Sequence, residues 1–187
     1  MEKSRAVHVP YEGKLLRLEV HRVELERGGE AVREVVRHPG AVVVLPLSAD
    51  GKVVMVRQFR FAVGEELLEL PAGTLRPGED PRDCAARELA EETGLRGELV
   101  PLGCFYSAPG FCDEKLYAFL AQGLESGPAH PDEDEELAMA TLSREEMASA
   151  VARGVIRDAK TLACLALAWT RGVFPVGPGG SDFSPQR

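Results

Sequence analysis

Aromatic residues are scarce in this chain of 187 residues, at 6% with a single tryptophan, and only four cysteines are present. Cys84, Cys104, Cys112 and Cys164 form no C-x-x-C pair, so neither a zinc site nor a disulfide framework is indicated. Reduced thiols in a cytosolic protein are expected. Long apolar runs are missing too. "AVVVLPL" and "TLACLALAW" fall well short of the roughly 18 residues that would suggest a membrane span. The opening "MEKSRAVHVPYEG" lacks the apolar core of a secretion signal. Positive charge is in the minority: a net charge of −8 and a pI near 5.1 argue against nonspecific grip on nucleic acid or anionic membranes. No internal repeat is visible. The length suits one domain, or one with a small appendage, and allows a real core.

The first 60 residues read as strands. "KLLRLEVHRVELERGGEAVREVVRH" alternates apolar and polar residues about "RGGE", a hairpin signal. "AVVVLPL" and "KVVMVRQF" flank "SADG" as a second expected hairpin, and the unbroken run Ala41–Leu45 predicts a strand buried on both faces. "ELLELPAG" predicts a short strand before the turn-rich "GTLRPGED". Asp80 (N-cap), Pro81 (first position), Asp83 (first turn) and Gly94 (left-handed stop) then frame a helix. Further strands are expected in "GELVPLGCFYS" and "EKLYAFLAQGL". "SREE", Ser143 to Glu146, is a capping box opening a helix to about Arg153, and Asp158 caps another through "KTLACLALAWTRG". The tail "FPVGPGGSDFSPQR" is Pro/Gly/Ser-rich and is expected to be loose. The order predicts an α/β protein, a mixed sheet layered between helices as an α/β/α sandwich, preceded by an N-terminal β-strand region.

The framed helix carries an electrostatic puzzle. Glu88, Glu91 and Glu92 crowd its last turns, where the helix dipole disfavours each acid by roughly 0.3–1 kcal/mol at an exposed end. At 100° per residue they share one face, with Ala86, Leu89, Ala90 and Thr93 on the opposite arc toward the sheet. One account is a solvated face with surface pairs such as Arg87–Glu91 and Glu92–Arg96. The other is a divalent cation. Mg²⁺ takes carboxylate and water oxygens in octahedral geometry, and carboxylates at i, i+3 and i+4 can converge on one small ion cluster.

The context favours the cation. From Gly73 the chain reads "GTLRPGEDPRDCAARELAEETGL", which resembles the Nudix box, G-x5-E-x7-R-E-U-x-E-E-x-G-U with U aliphatic, at every defined position over 23 residues. The resemblance implies a Nudix fold and hydrolysis of a nucleoside diphosphate linked to another group. It also implies Mg²⁺, with Mn²⁺ or Zn²⁺ as alternatives. It marks Glu88 and Glu92 as principal metal ligands, Glu91 as a further or bridging one, and the Ala72 carbonyl as a backbone ligand. Arg87 and Glu79 would orient helix and loop by pairing with each other, and Gly73 and Gly94 would be conformational.

The flanks "VRQFRFAVGEELLELPAG" and "SAPGFCDEKLYAFL" resemble the ADP-ribose pyrophosphatase subfamily, which carries a proline about 15 residues beyond the box; Pro109 lies 14 past Leu95. Ala108 departs from the serine that often precedes that proline. The N-terminal strands resemble the subfamily's swapped, dimer-forming segment more loosely. A dimer-forming strand segment over 1–38, a Nudix domain over 39–172 and a flexible tail over 173–187 are therefore expected, in a cytoplasmic homodimer.

In a regular strand Arg57 and Arg60 point to opposite faces, so only one is expected at a phosphate or terminal ribose. The resemblance favours Arg60, and a charge capping a strand is the bland account of Arg57. Glu114 matches a position that touches ribose hydroxyls. In the acidic run Asp132–Glu136, alignment with the subfamily places Glu133 and Glu135 near the hydrolytic water as base or ligand, Glu135 being the better match. Tyr11, Phe59, Phe61, Tyr106 and Phe111 are the candidates to stack adenine. The expected reaction is cleavage of ADP-ribose to AMP and ribose 5-phosphate, with Glu92 and Glu135 or Glu133 as catalytic groups. Another nucleoside diphosphate sugar, such as ADP-glucose or GDP-mannose, is the alternative substrate, and a non-catalytic ADP-ribose sensor the more distant one.

Overall fold

The computed structural model describes residues 1–127 and 137–174. The unbroken apolar run sets the architecture. Strand β4 (Ala41–Pro46) is buried at every position and lies inside a four-stranded mixed sheet, order β7-β4-β9-β8. It runs parallel to β9 (Lys115–Ser126) and antiparallel to β7 (Ala72–Thr74), while β9 pairs antiparallel with β8 (Leu95–Tyr106). Alternation along β4 divides the interior in two. Val42 and Val44 pack with Cys84, Ala85 and Leu89 of α1 (Pro81–Thr93). Val43 and Leu45 pack on the other face with Met147 of α2 (Arg144–Ala152) and with Cys164, Leu165 and Ala168 of α3 (Ala159–Thr170). A strand with both faces covered cannot alternate polar and apolar residues, hence "AVVVL". The α/β/α layering expected from the order of elements is present.

The expected second hairpin is not. Strand β5 (Val53–Arg60) meets the end of β4 only through a bridge between Leu47 and Val53, then leaves for a separate sheet of order β10-β5-β6. That sheet pairs β5 with β6 (Glu65–Glu69) and β10 (Leu137–Leu142), all antiparallel. β9 covers one edge of β4 along its whole length and β7 takes the first half of the other, so β5 meets that edge only past its end, at Leu47. The turn residues of "SADG" do reverse the chain, with the Gly51 N–H donating to the Ser48 carbonyl at 3.0 Å.

The helix ends follow their capping residues. The Asp80 carboxylate accepts from the Arg82 N–H at 2.8 Å, and Gly94 adopts φ 66° while its N–H reaches the Ala90 carbonyl at 2.9 Å. The capping box at Ser143 is reciprocal, and Asp158 caps α3 through Thr161. One assignment on α1 changes. Ala86 is exposed, whereas Glu92 is buried on the sheet side with Cys84, Ala85, Leu89 and Thr93. The chain beyond α3 also differs from expectation at its start: Val173 and Phe174 join the core, and the Phe174 ring sits edge-on to Trp169, centroids 5.9 Å apart.

The N-terminal strands β1 (Lys3–Glu12), β2 (Arg17–Glu24) and β3 (Glu30–Arg37) form their own antiparallel meander. It joins the rest where Val36 exchanges backbone hydrogen bonds with Phe111 (2.7 Å) and Asp113 (3.1 Å), and where Arg37 pairs with Asp113. Val7, Tyr11 and Val32 on this sheet are more than half exposed, at 51%, 58% and 60%.

Candidate active site

Arg87 organises the acidic helix. Its Nε and Nη2 donate to the two oxygens of Glu79 at 2.9 and 3.0 Å, and its Nη1 donates to Glu88 at 2.6 Å and Glu91 at 2.9 Å. Nη2 also reaches the Thr74 carbonyl at 3.4 Å, so the loop before the helix is drawn onto it. Glu79 in turn accepts the Arg76 N–H at 2.8 Å. Hydrogen bonding to Arg87 holds the Glu79 carboxyl down at about 2, and the same bond pushes the arginine above its ordinary value. One guanidinium thus serves three carboxylates. The surface-pair account of the helix is therefore partly realised, yet Arg87 leaves an excess of negative charge beside it.

Glu92 stands apart from that fan. It is buried, with 6% of its surface exposed, and accepts the Ala72 N–H at 3.2 Å, tying the last turn of α1 to β7. Between them lies Gly73. Its φ is ordinary, so the reason for glycine is space rather than conformation: a Cβ there would stand within 3.0 Å of all three carboxyl atoms of Glu88. Gly94, by contrast, is conformational, as expected. Beneath this wall the Cys84 thiol lies 3.6 Å from the Thr74 carbonyl, and burial pushes it up to about 12, which makes it inert.

Among the described residues no three acidic side chains converge as a bound ion would require, because Arg87 Nη1 stands between Glu88 and Glu91. The donor set nevertheless fits a hard dication: carboxylates of Glu88, Glu91 and Glu92 beside the Ala72 carbonyl, with a cradle at Gly73 that a methyl group would fill.

A cleft of about 320 Å³ opens beside this wall, lined by Arg60, Ala72, Gly73, Thr74, Ser107, Glu114, Asp158 and Lys160 among others. Arg60 and Glu114 are thereby brought together with the box. Glu114 lies 3.7 Å from the His38 ring. Arg57 is not in this cleft. It faces the α2 side, in a pocket with Glu145, Glu146 and Arg153, and pairs with Glu66 at 3.6 Å. Pro109 lines a different hollow, with Val35, Tyr106 and Phe111. Tyr11, Phe59, Phe61, Tyr106 and Phe111 are all well exposed, so burial does not choose among them. Glu133 and Glu135 lie outside the described residues, as does the rest of the run Asp132–Glu136.

Sequence reasoning passed over Glu69 and Lys160 and read Asp158 only as a helix cap. Glu69 is 1% exposed, and its carboxylate accepts Arg60 Nε at 3.0 Å and Nη2 at 2.7 Å as well as Lys160 Nζ. The signal was present: one acid inside "LLELPA", a stretch otherwise suited to burial, requires a cationic partner.

The NUDIX domain family model matches residues 36–164. The chain is 40% identical over 163 residues to an ADP-ribose pyrophosphatase of Bacillus subtilis (strain 168), covering 86% of this chain and 88% of that one. It is 40% identical over 164 residues to the methanol dehydrogenase activator of Bacillus methanolicus, covering 86% and 89%. A crystal structure of an ADP compounds hydrolase superposes with a TM-score of 0.82 at 23% identity, covering 94% of this chain and 97% of that one, a likeness of fold. The chain belongs to the Nudix hydrolase family.

Proposed function

We propose that the protein hydrolyses the diphosphate of ADP-ribose, releasing AMP and ribose 5-phosphate. The observation that carries this is the meeting, in one cleft, of Arg60 and Glu114 with Ala72, Gly73 and Thr74, the strand against which Glu88 and Glu92 of the box are packed; the ADP-ribose pyrophosphatase of Bacillus subtilis, 40% identical, supports the choice of substrate. A dication, Mg²⁺ by preference, held by Glu88, Glu91, Glu92 and the Ala72 carbonyl would polarise the diphosphate and acidify water. Arg60 presents fixed N–H donors that match phosphate oxygens. Glu114, an acceptor when ionised, suits ribose hydroxyls. Glu135, or Glu133, takes the proton from the attacking water as its oxygen bonds to phosphorus and the phosphoanhydride bond breaks. Arg87 and Glu79 hold the box loop on its helix.

The N-terminal region over 1–38 is proposed to form a homodimer. A lone three-stranded sheet with apolar side chains open to solvent on β1 and β3 gains from a second copy covering it. Four free cysteines suit the reducing cytoplasm, where we place the protein.

The test is a panel of ADP-ribose, ADP-glucose and GDP-mannose, with Mg²⁺ and with chelator, read as free AMP or GMP. AMP from ADP-ribose, abolished by chelator, is expected. Glu92→Gln should fold and lose turnover by orders of magnitude. Faster release of GMP from GDP-mannose would overturn the substrate, and tight ADP-ribose binding without AMP would overturn the catalysis.

A further inference from the structure

We propose that Glu69 is a positioning residue of this site: it never meets substrate, but it fixes Arg60 and Lys160 as a pair of cations on the wall of the cleft that Ala72, Gly73 and Thr74 also line. The inference rests on the substrate reading above, since the pair is assigned to a nucleoside diphosphate. Glu69 ends strand β6, one turn before the Ala72–Gly73 backbone, and its carboxylate is closed to solvent. Arg60 side-chain exposure is 36% and that of Lys160 is 17%, so the cations, not the acid, face the opening. Arg60 engages Glu69 through Nε and Nη2, which leaves Nη1 for another acceptor. Lys160 also lies 3.0 Å from Asp158, but that carboxylate is already taken by the Thr161 N–H at 3.0 Å and hydroxyl at 2.7 Å as the cap of α3. Asp158 keeps its charge through these neutral donors, so the two cations are balanced by two anions, and what Glu69 sets is their position rather than a surplus of charge.

Stability alone gives no reason for such an arrangement. A buried ion pair is commonly no better than apolar residues of the same volume, because desolvation offsets the attraction. Position does give a reason. The charge of Glu92, a carboxylate proposed for the metal, also acts on Arg60, so without its anchor the arginine is drawn toward that acid. Glu69 prevents that by holding both donors of one edge in a bidentate grip. Because Leu70, the next residue, donates its N–H to Thr161 Oγ1 at 2.9 Å, the anchor and the helix that carries Lys160 move together.

The test compares wild type, Glu69→Gln, the Arg60→Met/Lys160→Met double variant and the triple variant carrying all three changes. Readouts are steady-state cleavage of ADP-ribose in Mg²⁺, ADP-ribose binding in chelator by titration calorimetry, and Tm. Glu69→Gln should raise KM at least tenfold with a smaller change in kcat, and weaken metal-free binding by a similar factor. In the background lacking both cations, adding Glu69→Gln should leave KM and binding unchanged while raising Tm, because a buried uncompensated carboxylate is removed. Folded Glu69→Gln with wild-type KM and binding overturns the proposal, as does a further KM rise in the triple variant. Should Glu69→Gln not fold, Glu69→Asp, which keeps the charge but shortens the reach, carries the same comparison. Wild-type protein inert toward ADP-ribose overturns the substrate alone; the comparison then runs on GDP-mannose with GMP as readout, where an unchanged KM overturns the role of Glu69.

Discussion

Gly73→Ala separates the fold from the site. The added methyl would stand where the Glu88 carboxyl group lies, within 3.0 Å of all three of its atoms. The carboxyl is the far end of a flexible side chain, so it can swing away while β7 stays in register with β4. The loss is the hydrogen bond from Arg87 Nη1, a partly exposed charged pair worth roughly 0.5–1 kcal/mol. Replacing glycine by alanine at an ordinary φ returns about 0.4–1 kcal/mol by restricting the unfolded chain. The two nearly cancel, and at this chain length each 1 kcal/mol left over moves Tm by only about 2–4 °C. Activity has no such compensation. A carboxylate assigned to the metal has been expelled, and a loss of about 100-fold or more in kcat is expected. AMP release from ADP-ribose in saturating Mg²⁺ and a thermal melt on the same preparations measure both quantities. Glu88→Ala should lose as much, and the double variant no more than either alone, because both changes remove the same group. Losses that multiply, or a Gly73→Ala protein with wild-type turnover, would refute the cradle.

The other expectations concern the loop and the sheet. Glu79→Gln should cost about 1.5–3 kcal/mol at pH 7, since it weakens a hydrogen-bonded charge pair to Arg87. The Glu79 carboxyl is held at about 2 against 4.5 when free, so this stabilisation is full above pH 4.5 and disappears as pH falls through 2. Urea unfolding of both proteins at pH 7 and pH 3 should therefore show a gap that narrows in acid; a constant gap would be contrary to the pairing. Val32→Asp, on the exposed face of the N-terminal sheet, should shift sedimentation from dimer toward monomer at a concentration where wild type is dimeric.

The chain announces its local structure well because short-range signals decide it. Asp80, Pro81 and Gly94 bound α1 as their chemistry requires, and the "AVVVL" run marks the central strand. Pairing was less legible. The "SADG" turn implies a hairpin, yet β5 takes β6 and β10 as its neighbours, and β10 is distant in sequence. The box acids are legible from spacing alone, whereas the burial of Glu92 is not, since a helical wheel does not reveal that β7 supplies an N–H on its sheet side. Gly73 is expected to be conformational, whereas its service is to leave room, a property that exists only once Glu88 is folded against it. Arg57 and Arg60 lie three apart in one strand, and alternation separates them into different pockets.

The alternation of β4 has a consequence for how the molecule comes apart. Each successive side chain of that strand is a member of a different half of the interior, so neither half can melt while the other persists. The layers on both faces must be lost in one cooperative event, and the cleft with them. Among the described residues the N-terminal meander is fastened by hydrogen bonds and ion pairs around residues 36–38 and 111–114, and so can open beforehand as a separate unit.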